Sequence, residues 1–316
     1  MEKPRVFITR RLALDPATVL GPGIEIDQHD SEQAPPRDEL LRRVHGASAL
    51  LPILGDRIDA ELLDAAPRLR LVANHAAGVD NIDVAACTAR GVWVTNTPDV
   101  LTECTADLTL ALILALARRL REGELLLRSG AWAGWAPTQL LGLELSGRTL
   151  GILGYGRIGR AVARRAEAFG MRVLFTARGG GVPFEALLEQ SDVLSIHCPL
   201  TPQTRGLFGP AQFLSMKRGA LLINTARGPI IEEAALAAAL QAGHLGGAAL
   251  DVFEREPAVH PALIGRSDVV LLPHLGSATQ ETRRRMAALA LAQVELVLRG
   301  ERPSHPVNAI ANAGPA

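Results

Sequence analysis

The sequence predicts an α/β protein built from two parallel-sheet units. Three observations carry that reading. Short apolar runs alternate with longer helical patterns along the 316 residues, as in parallel sheets covered by helices. The alternation stops near residue 95 and starts again near residue 149. The length suits about two domains of roughly 100–200 residues each.

In the first set, residues 5–8, 49–53, 71–74 and 92–95 are expected as buried strands, with helices over 37–44 and 58–65 between them. The second set has strands expected at 149–153, 172–176, 193–197, 220–224, 247–251 and 269–272. Helical stretches at 158–169, 184–190, 232–242 and 279–298 separate most of them. Residues 101–120, between the sets, read as one long helix, apolar on most faces and suited to burial between domains or subunits. Residues 122–147 follow with Trp132, Trp135 and Pro137 and little periodicity. An irregular stretch of that length suggests an arm or an interface element. The last helix is expected to carry the chain back to the first unit. The expected domains are therefore residues 1–98 with 285–316, and residues 99–284, the second including a dimerisation helix and arm.

Composition removes several functional classes. Lysine plus arginine number 33 and aspartate plus glutamate 33, so the net charge is zero. A protein devoted to nucleic acid or an anionic membrane needs a basic surplus. Only Lys3 and Lys217 are lysines, and arginine is the better clamp for carboxylate and phosphate. The three cysteines, Cys87, Cys104 and Cys198, lack CxxC spacing, which fits a reducing compartment and no disulfide scaffold. No Cys/His spacing suits zinc, and no metal is expected. The N-terminus lacks an apolar signal region, and the longest apolar run, around residues 108–117, is far below the roughly 20 residues that span a bilayer. A cytoplasmic protein is expected.

Gly154-Tyr155-Gly156-Arg157-Ile158-Gly159 follows an apolar strand and opens a helix. A GxGxxG alone is a weak signal, but in this strand-to-helix context it is a strong one for a dinucleotide. The first glycine allows the tight turn, the second lets the backbone approach a pyrophosphate, and the third permits close helix–strand packing. The helix N-terminus adds N–H groups and partial positive charge. The next strand ends at Phe175-Thr176-Ala177-Arg178, where an NAD-binding unit places a carboxylate for the ribose 2′-OH. None occurs between Gly170 and Phe184. Thr176 and Arg178 stand there instead, and a guanidinium binds a 2′-phosphate bidentately. NADP(H) is therefore preferred, with NAD(H) possible. The alternative is that Arg178 is a solvated surface charge and Glu185 fills the acidic role, but Glu185 falls in the next helical pattern.

Three later segments stand out: Ile223-Asn224-Thr225-Ala226-Arg227-Gly228, Asp251-Val252-Phe253-Glu254-Arg255-Glu256-Pro257 and Pro273-His274-Leu275-Gly276-Ser277-Ala278-Thr279. Arg227, Glu256 and His274 each lie just after an expected strand, and the carboxyl ends of strands line the ligand crevice of an open α/β sheet. Singly, each is more often a loop, surface or turn residue. Their joint occurrence behind a phosphate loop reverses those odds.

Together with the phosphate loop, these segments resemble the D-isomer-specific 2-hydroxyacid dehydrogenase family over essentially the whole chain. The resemblance extends to Ala76-Ala77-Gly78-Val79-Asp80-Asn81-Ile82-Asp83 and Thr97-Pro98-Asp99-Val100-Leu101-Thr102. It is greatest toward the NADPH-linked glyoxylate/hydroxypyruvate reductases and the 2-ketogluconate reductases. It implies a flavodoxin-like substrate domain, an NAD(P)-binding Rossmann domain, and a small 2-keto or 2-hydroxy acid as substrate; a homodimer is expected, built on residues 101–120 and the arm through Gly147.

Reduction of such an acid needs a hydride, a proton and a carboxylate clamp. The resemblance makes His274 the proton donor, a role suited to a side chain that titrates near working pH. It makes Glu256 the partner of the other ring nitrogen, and Arg227 the group that binds the substrate carboxylate and polarises the ketone. The backbone N–H groups of Ala77, Gly78 and Val79 match the family's second carboxylate cradle. Thr105 matches a position near the cofactor phosphates or ribose. His197, Cys198, Pro199 and Thr204 match the adenosine side. Thr225, Ala226 and Asp251 match positions near the nicotinamide, Asp251 as acceptor from the carboxamide. Gly276 gives room beside His274, and Ser277 and Arg283 are expected at the substrate pocket.

Some features depart from the family pattern. The stretch from Arg178 to Asp192 is short and removes any basic residue that relatives place after Arg178, which weakens the NADPH preference. Phosphite dehydrogenases carry a lysine where this chain has Ala77, so phosphite oxidation is disfavoured. Some hydroxypyruvate reductases present an arm tryptophan to the neighbouring subunit, and Gln139 stands at that position here. Two other readings compete: a 3-phosphoglycerate-type dehydrogenase, and a non-catalytic dinucleotide-sensing protein like the family's corepressors. The intact catalytic set disfavours the second.

Overall fold

The computed structural model describes residues 3–310. They divide into two units: residues up to Leu101 with those from Ala278, and Thr102–Ser277. The breaks fall a few residues from the expected 98 and 285, and the last helix lies whole within the first unit.

The first unit runs β1 (Arg5–Ile8), β2 (Glu25–Gln28), α1 (Arg37–Val44), β3 (Ala49–Leu51), α2 (Ala60–Asp64), β4 (Leu71–Ala73), α3 (Val84–Ala89) and β5 (Trp93–Thr95). Its strands are all parallel in the order β2-β1-β3-β4-β5. The order reverses at β1, as in flavodoxin-like sheets. Side chains alternate between two faces. Phe7, Leu50, Val72 and Val94 pack with Leu40, Val44 and Leu62 of α1 and α2 on one side. Val6, Ile8, Leu51 and Leu71 face the other. Asp59 and Asp83 cap α2 and α3 by accepting from Leu62 and Ala86 amides.

The second unit opens on α4 (Thr102–Ala117) and α5 (Leu120–Arg128). Then come β6 (Thr149–Leu153), α6 (Arg157–Ala168), β7 (Arg172–Ala177), β8 (Gly180–Gly181), α7 (Phe184–Gln190), β9 (Val193–Ile196), α8 (Pro210–Ser215), β10 (Leu221–Asn224), α9 (Glu233–Gln241), β11 (Gly247–Leu250), α10 (Pro261–Ile264) and β12 (Val269–Leu271). The sheet order is β12-β11-β10-β9-β6-β7-β8, parallel except for β8. On one face Ala106, Leu110 and Ile113 of α4 and Val162 and Ala166 of α6 cover Leu150, Ile152 and Ile223. On the other, Leu187, Phe213 and Leu236 cover Leu194, Ile196, Leu222 and Leu250.

α11 (Gln280–Leu298) returns to the first unit, where Ala290, Leu291, Val294 and Val297 join the face of Val6, Ile8, Ala49 and Leu71. Thr279 caps it.

One expectation needs correction. The stretch 122–147 is not wholly irregular, because α5 occupies its beginning. The long helix ends at Ala117, and Arg119 adopts a left-handed backbone with φ 51°. The arm then folds back. Leu143 donates its amide to the Ala117 carbonyl at 2.7 Å, satisfying a group orphaned at the helix end. A Cβ on Gly142 would lie 2.1 Å from that oxygen, so only glycine fits there.

Candidate active site

The phosphate loop leaves β6 where the sheet order reverses, since β7 lies on one side of β6 and β9 on the other. Such switch points open a crevice at the carboxyl ends of the strands. The loop's three glycines have three distinct surroundings. Gly154 has φ 97°, and a Cβ on it would sit 2.4 Å from the Cys198 amide nitrogen. Gly156 faces open space, with nothing within 4 Å of a Cβ there. On Gly159 a Cβ would lie 2.3 Å from the Gly154 carbonyl oxygen. Turn, ligand approach and close packing are the three jobs such glycines do around a pyrophosphate. The residues therefore fit a dinucleotide. Arg157 and Ile158 open α6, with Ile158 packed against the core below.

Tyr155 stacks on Phe175, ring centroids 3.9 Å apart, fixing the loop to β7. Beyond Phe175, β7 turns at Arg178 and Gly179 and pairs antiparallel with β8. The Thr176 hydroxyl is used inside this hairpin, donating to the Val182 carbonyl at 2.7 Å. Arg178 sits exposed at the turn and makes no ion pair among the described residues.

After β9, the His197 ring is bonded to the Ser195 hydroxyl at 2.8 Å, and burial pushes it down to about 4. It is neutral near pH 7. Burial raises the Cys198 thiol to about 11, which leaves it protonated and unsuited to redox work. Thr204 donates to the Pro199 carbonyl at 2.7 Å and so shapes the loop after β9.

Arg227 follows β10 on a turn bracketed by Asn224, whose side chain accepts the Ala226 amide and donates to the Arg227 carbonyl, both at 3.0 Å. The next residue must be glycine, because a Cβ on Gly228 would fall 1.8 Å from the Phe253 carbonyl oxygen. That close approach brings the Arg227 turn against the segment leading to Glu256. Thr225 is buried and shares a hydrogen bond with Thr109 of α4 at 3.0 Å.

His274 Nδ1 lies 3.0 Å from Glu256 Oε2. Burial alone would raise the Glu256 carboxyl. The bond and charge of His274, the Phe253 amide at 3.0 Å and the charge of Arg227 outweigh it and hold the group below the usual carboxylate value. The three expected catalytic residues thus interact within one unit.

Asp251 is engaged by the main chain of the His274 turn. Its carboxylate accepts the Leu275 amide at 2.6 Å and the Gly276 amide at 2.7 Å, and its carbonyl accepts the His274 amide at 2.9 Å. Burial pushes this carboxyl up, and the amides and His274 counter it. His274 itself has φ 55°, a left-handed backbone that few non-glycine residues adopt. Asp251 is what closes that turn. Thr105 and Cys104 support the same turn from α4, donating to the Gly276 carbonyl at 2.9 and 3.2 Å. Ser277 directly follows it, at the end of the second unit.

In the first unit, Ala77, Gly78 and Val79 lie in the loop after β4, partly exposed. Arg283, on α11, meets the buried His75 just upstream of that loop, through its charge and its backbone. Asn224 and Asn81 lie in segments that stand out in the sequence but have no role marked by type, and Ser195, His75, Asn74 and Asn96 carry no motif at all. Among the described residues no three His, Cys, Asp or Glu side chains gather as a metal site, and no helix is long and apolar enough to cross a membrane.

A cavity of about 610 Å³ in the second unit lies elsewhere, near the amino ends of β10, β11 and β12, lined in part by Leu116, Arg119, Leu141, Gly219, Gly246 and Arg266. It is at the opposite edge of the sheet from the phosphate loop.

Known proteins similar to this chain identify its family. Residues 110–276 match the model of the D-isomer specific 2-hydroxyacid dehydrogenase NAD-binding domain. A glyoxylate reductase of Aeropyrum pernix is 47% identical, over 98% of this chain and 97% of its own. One from Thermococcus litoralis is 44% identical over 97% of both. Among solved structures, a Thermus thermophilus protein superposes with a TM-score of 0.91 at 48% identity, covering 96% of this chain and all of that one. An NADPH-dependent glyoxylate/hydroxypyruvate reductase of Sinorhizobium meliloti superposes with a TM-score of 0.82 at 35% identity, covering 96% and 97%.

Proposed function

Because this chain belongs to the D-isomer-specific 2-hydroxyacid dehydrogenases, and so is an NAD(P)-dependent dehydrogenase, we propose that it reduces glyoxylate or hydroxypyruvate to the 2-hydroxy acid, with NADPH preferred. The observation that carries the proposal is the hydrogen-bonded His274–Glu256 pair with the Arg227 charge beside it. The curated relatives named glyoxylate reductase support the substrate class.

A bound nicotinamide dinucleotide supplies the hydride. Arg227 takes the substrate carboxylate and polarises the ketone. Protonated His274 donates to the ketone oxygen, and Glu256 fixes its ring and stabilises its charge. Asp251 keeps His274 in its left-handed turn. The amides of Ala77, Gly78 and Val79 form a second carboxylate cradle.

The NADPH preference rests on Arg178, a cation with no ion-pair partner among the described residues at the end of β7. The short hairpin after it offers no further basic residue, so the preference is modest. The remaining cofactor contacts are assigned to Thr105, Tyr155, Thr176, His197, Thr204 and Thr225, each held in place by the interactions described above.

The protein forms a homodimer through α4, α5 and the arm. Leu125, Leu127, Trp132, Trp135 and Leu141 there are 49–82% exposed. Large apolar side chains grouped this way mark an interaction surface. Rates with a panel of 2-keto acids, each with NADPH and NADH, test the function. Tight cofactor binding without turnover on any of them would overturn it in favour of a sensing role.

A further inference from the structure

We propose that Asn74 and Asn96 are positioning residues that orient the amides of Ala77, Gly78 and Val79 toward the substrate carboxylate; this rests on the reading of that loop as a carboxylate cradle. Three successive carbonyls of the loop are held from within the first unit. The Thr97 amide donates to the Ala76 oxygen at 2.9 Å. Asn96 Nδ2 donates to the Ala77 oxygen at 2.7 Å, and Asn74 Nδ2 to the Gly78 oxygen at 2.8 Å. A trans peptide is planar, with its N–H antiparallel to its C=O. Fixing those three oxygens therefore points the N–H groups of Ala77, Gly78 and Val79 in the opposite direction within each peptide plane. Without the two side chains, the peptides 77–78 and 78–79 lose the bonds that set this orientation.

A second layer holds the asparagines. The amides of Asn74 and Asn81 face each other at 3.3 Å, and Asn81 Nδ2 also donates to the carbonyls of Ile53 and Asp56, both at 3.1 Å. The Asp56 carboxylate accepts the Thr9 hydroxyl at 2.5 Å, the Ile53 amide at 3.0 Å and Arg10 at 3.1 Å. Asn74 is fully buried, and Asp56 and Arg10 are 3% and 6% exposed. A buried network whose members are mutually bonded specifies one geometry.

The test uses the full chain and oxamate, an unreactive carboxylate analogue, as competitor of glyoxylate. Asn96→Asp keeps the shape but sets a carboxylate oxygen against the Ala77 carbonyl. Asn74→Asp does the same to Gly78; Asn74 is fully buried, so the partly exposed Asn96 carries the test if that variant fails to fold. The expected result is a rise of about tenfold or more in both the glyoxylate KM and the oxamate inhibition constant. The cofactor KM should be unchanged and kcat should fall far less than KM rises. An unchanged oxamate constant in a folded Asn96→Asp protein would overturn the proposal, and so would equal losses in kcat and cofactor KM. Wild-type protein that reduces glyoxylate but does not bind oxamate would instead overturn the reading of the cradle.

Discussion

His274 and Glu256 are joined through Nδ1 and Oε2 at 3.0 Å, on a histidine whose backbone is left-handed. The proposed proton donor is thus fixed at both ends, ring by Glu256 and main chain by Asp251. His274→Ala should lower kcat by about 10²–10⁴-fold, the usual worth of a general acid, while cofactor affinity is kept. Glu256→Gln keeps the shape and removes the charge, and should lower kcat by about 10²-fold. Steady-state rates with cofactor titration by fluorescence check both, and full activity in His274→Ala would remove it from the acid role.

Asp251→Asn exchanges one acceptor of two backbone amides for a donor. A buried amide then goes unpaired, at a cost of about 1–3 kcal/mol. The melting temperature should fall by several degrees and kcat by about tenfold, since the His274 turn loosens. Parallel calorimetry and kinetics decide this. Loss of cofactor affinity alone would favour a carboxamide contact over a clamp.

Arg178→Asp should shift preference toward NADH by at least tenfold, because a carboxylate repels a 2′-phosphate and accepts from a 2′-OH. The ratio of kcat/KM for the two cofactors is the measurement. An unchanged ratio would return Arg178 to the status of a surface charge.

Burial pushes His75 down to about 4, from an ordinary 6.5, and its Nε2 has no hydrogen-bond partner among the described residues. Between those values the unfolded chain binds a proton that the folded one does not. Stability is therefore full above pH 6.5 and is lost as pH falls toward 4, by roughly 3 kcal/mol from this group. His75→Phe should flatten that part of the melting-temperature profile. A profile as steep as the wild type's would show that other groups dominate acid unfolding, His197 first among them.

Leu127→Glu combined with Trp135→Glu should yield monomers, because two carboxylates cannot be buried in an apolar interface without partners. Sedimentation velocity reads the change. A dimer that persists would place the interface elsewhere.

Much of the fold was legible because parallel strands buried on both faces are apolar from end to end. Leu150–Leu153 and Leu221–Ile223 needed no context. β2 was not legible, since Glu25–Gln28 is a part-polar edge strand with one neighbour. Two glycines make β8, and they pair only because Arg178 and Gly179 turn the chain. α5 was missed because residues 122–147 read as irregular; it is a separate helix, set off from α4 by the left-handed Arg119, and none of its residues is buried. In the site, His274, Glu256 and Arg227 were visible as chemistry-bearing types after strands. Asp251 was visible too, but its bonds to Leu275 and Gly276 depend on a turn that spacing does not reveal. Asn74 and Asn96 look like ordinary polar residues ending two strands, and their partners are carbonyl oxygens, which every residue carries.

The return of α11 to the first sheet has a consequence for synthesis. Val6, Ile8, Ala49 and Leu71 are made early, yet Leu291, Val294 and Val297, which pack on them, emerge only after the whole second unit. The second unit is continuous and can close while the chain is still growing. Order of manufacture and order of completion are therefore reversed: the N-terminal unit waits, one sheet face only partly covered, until α11 leaves the ribosome.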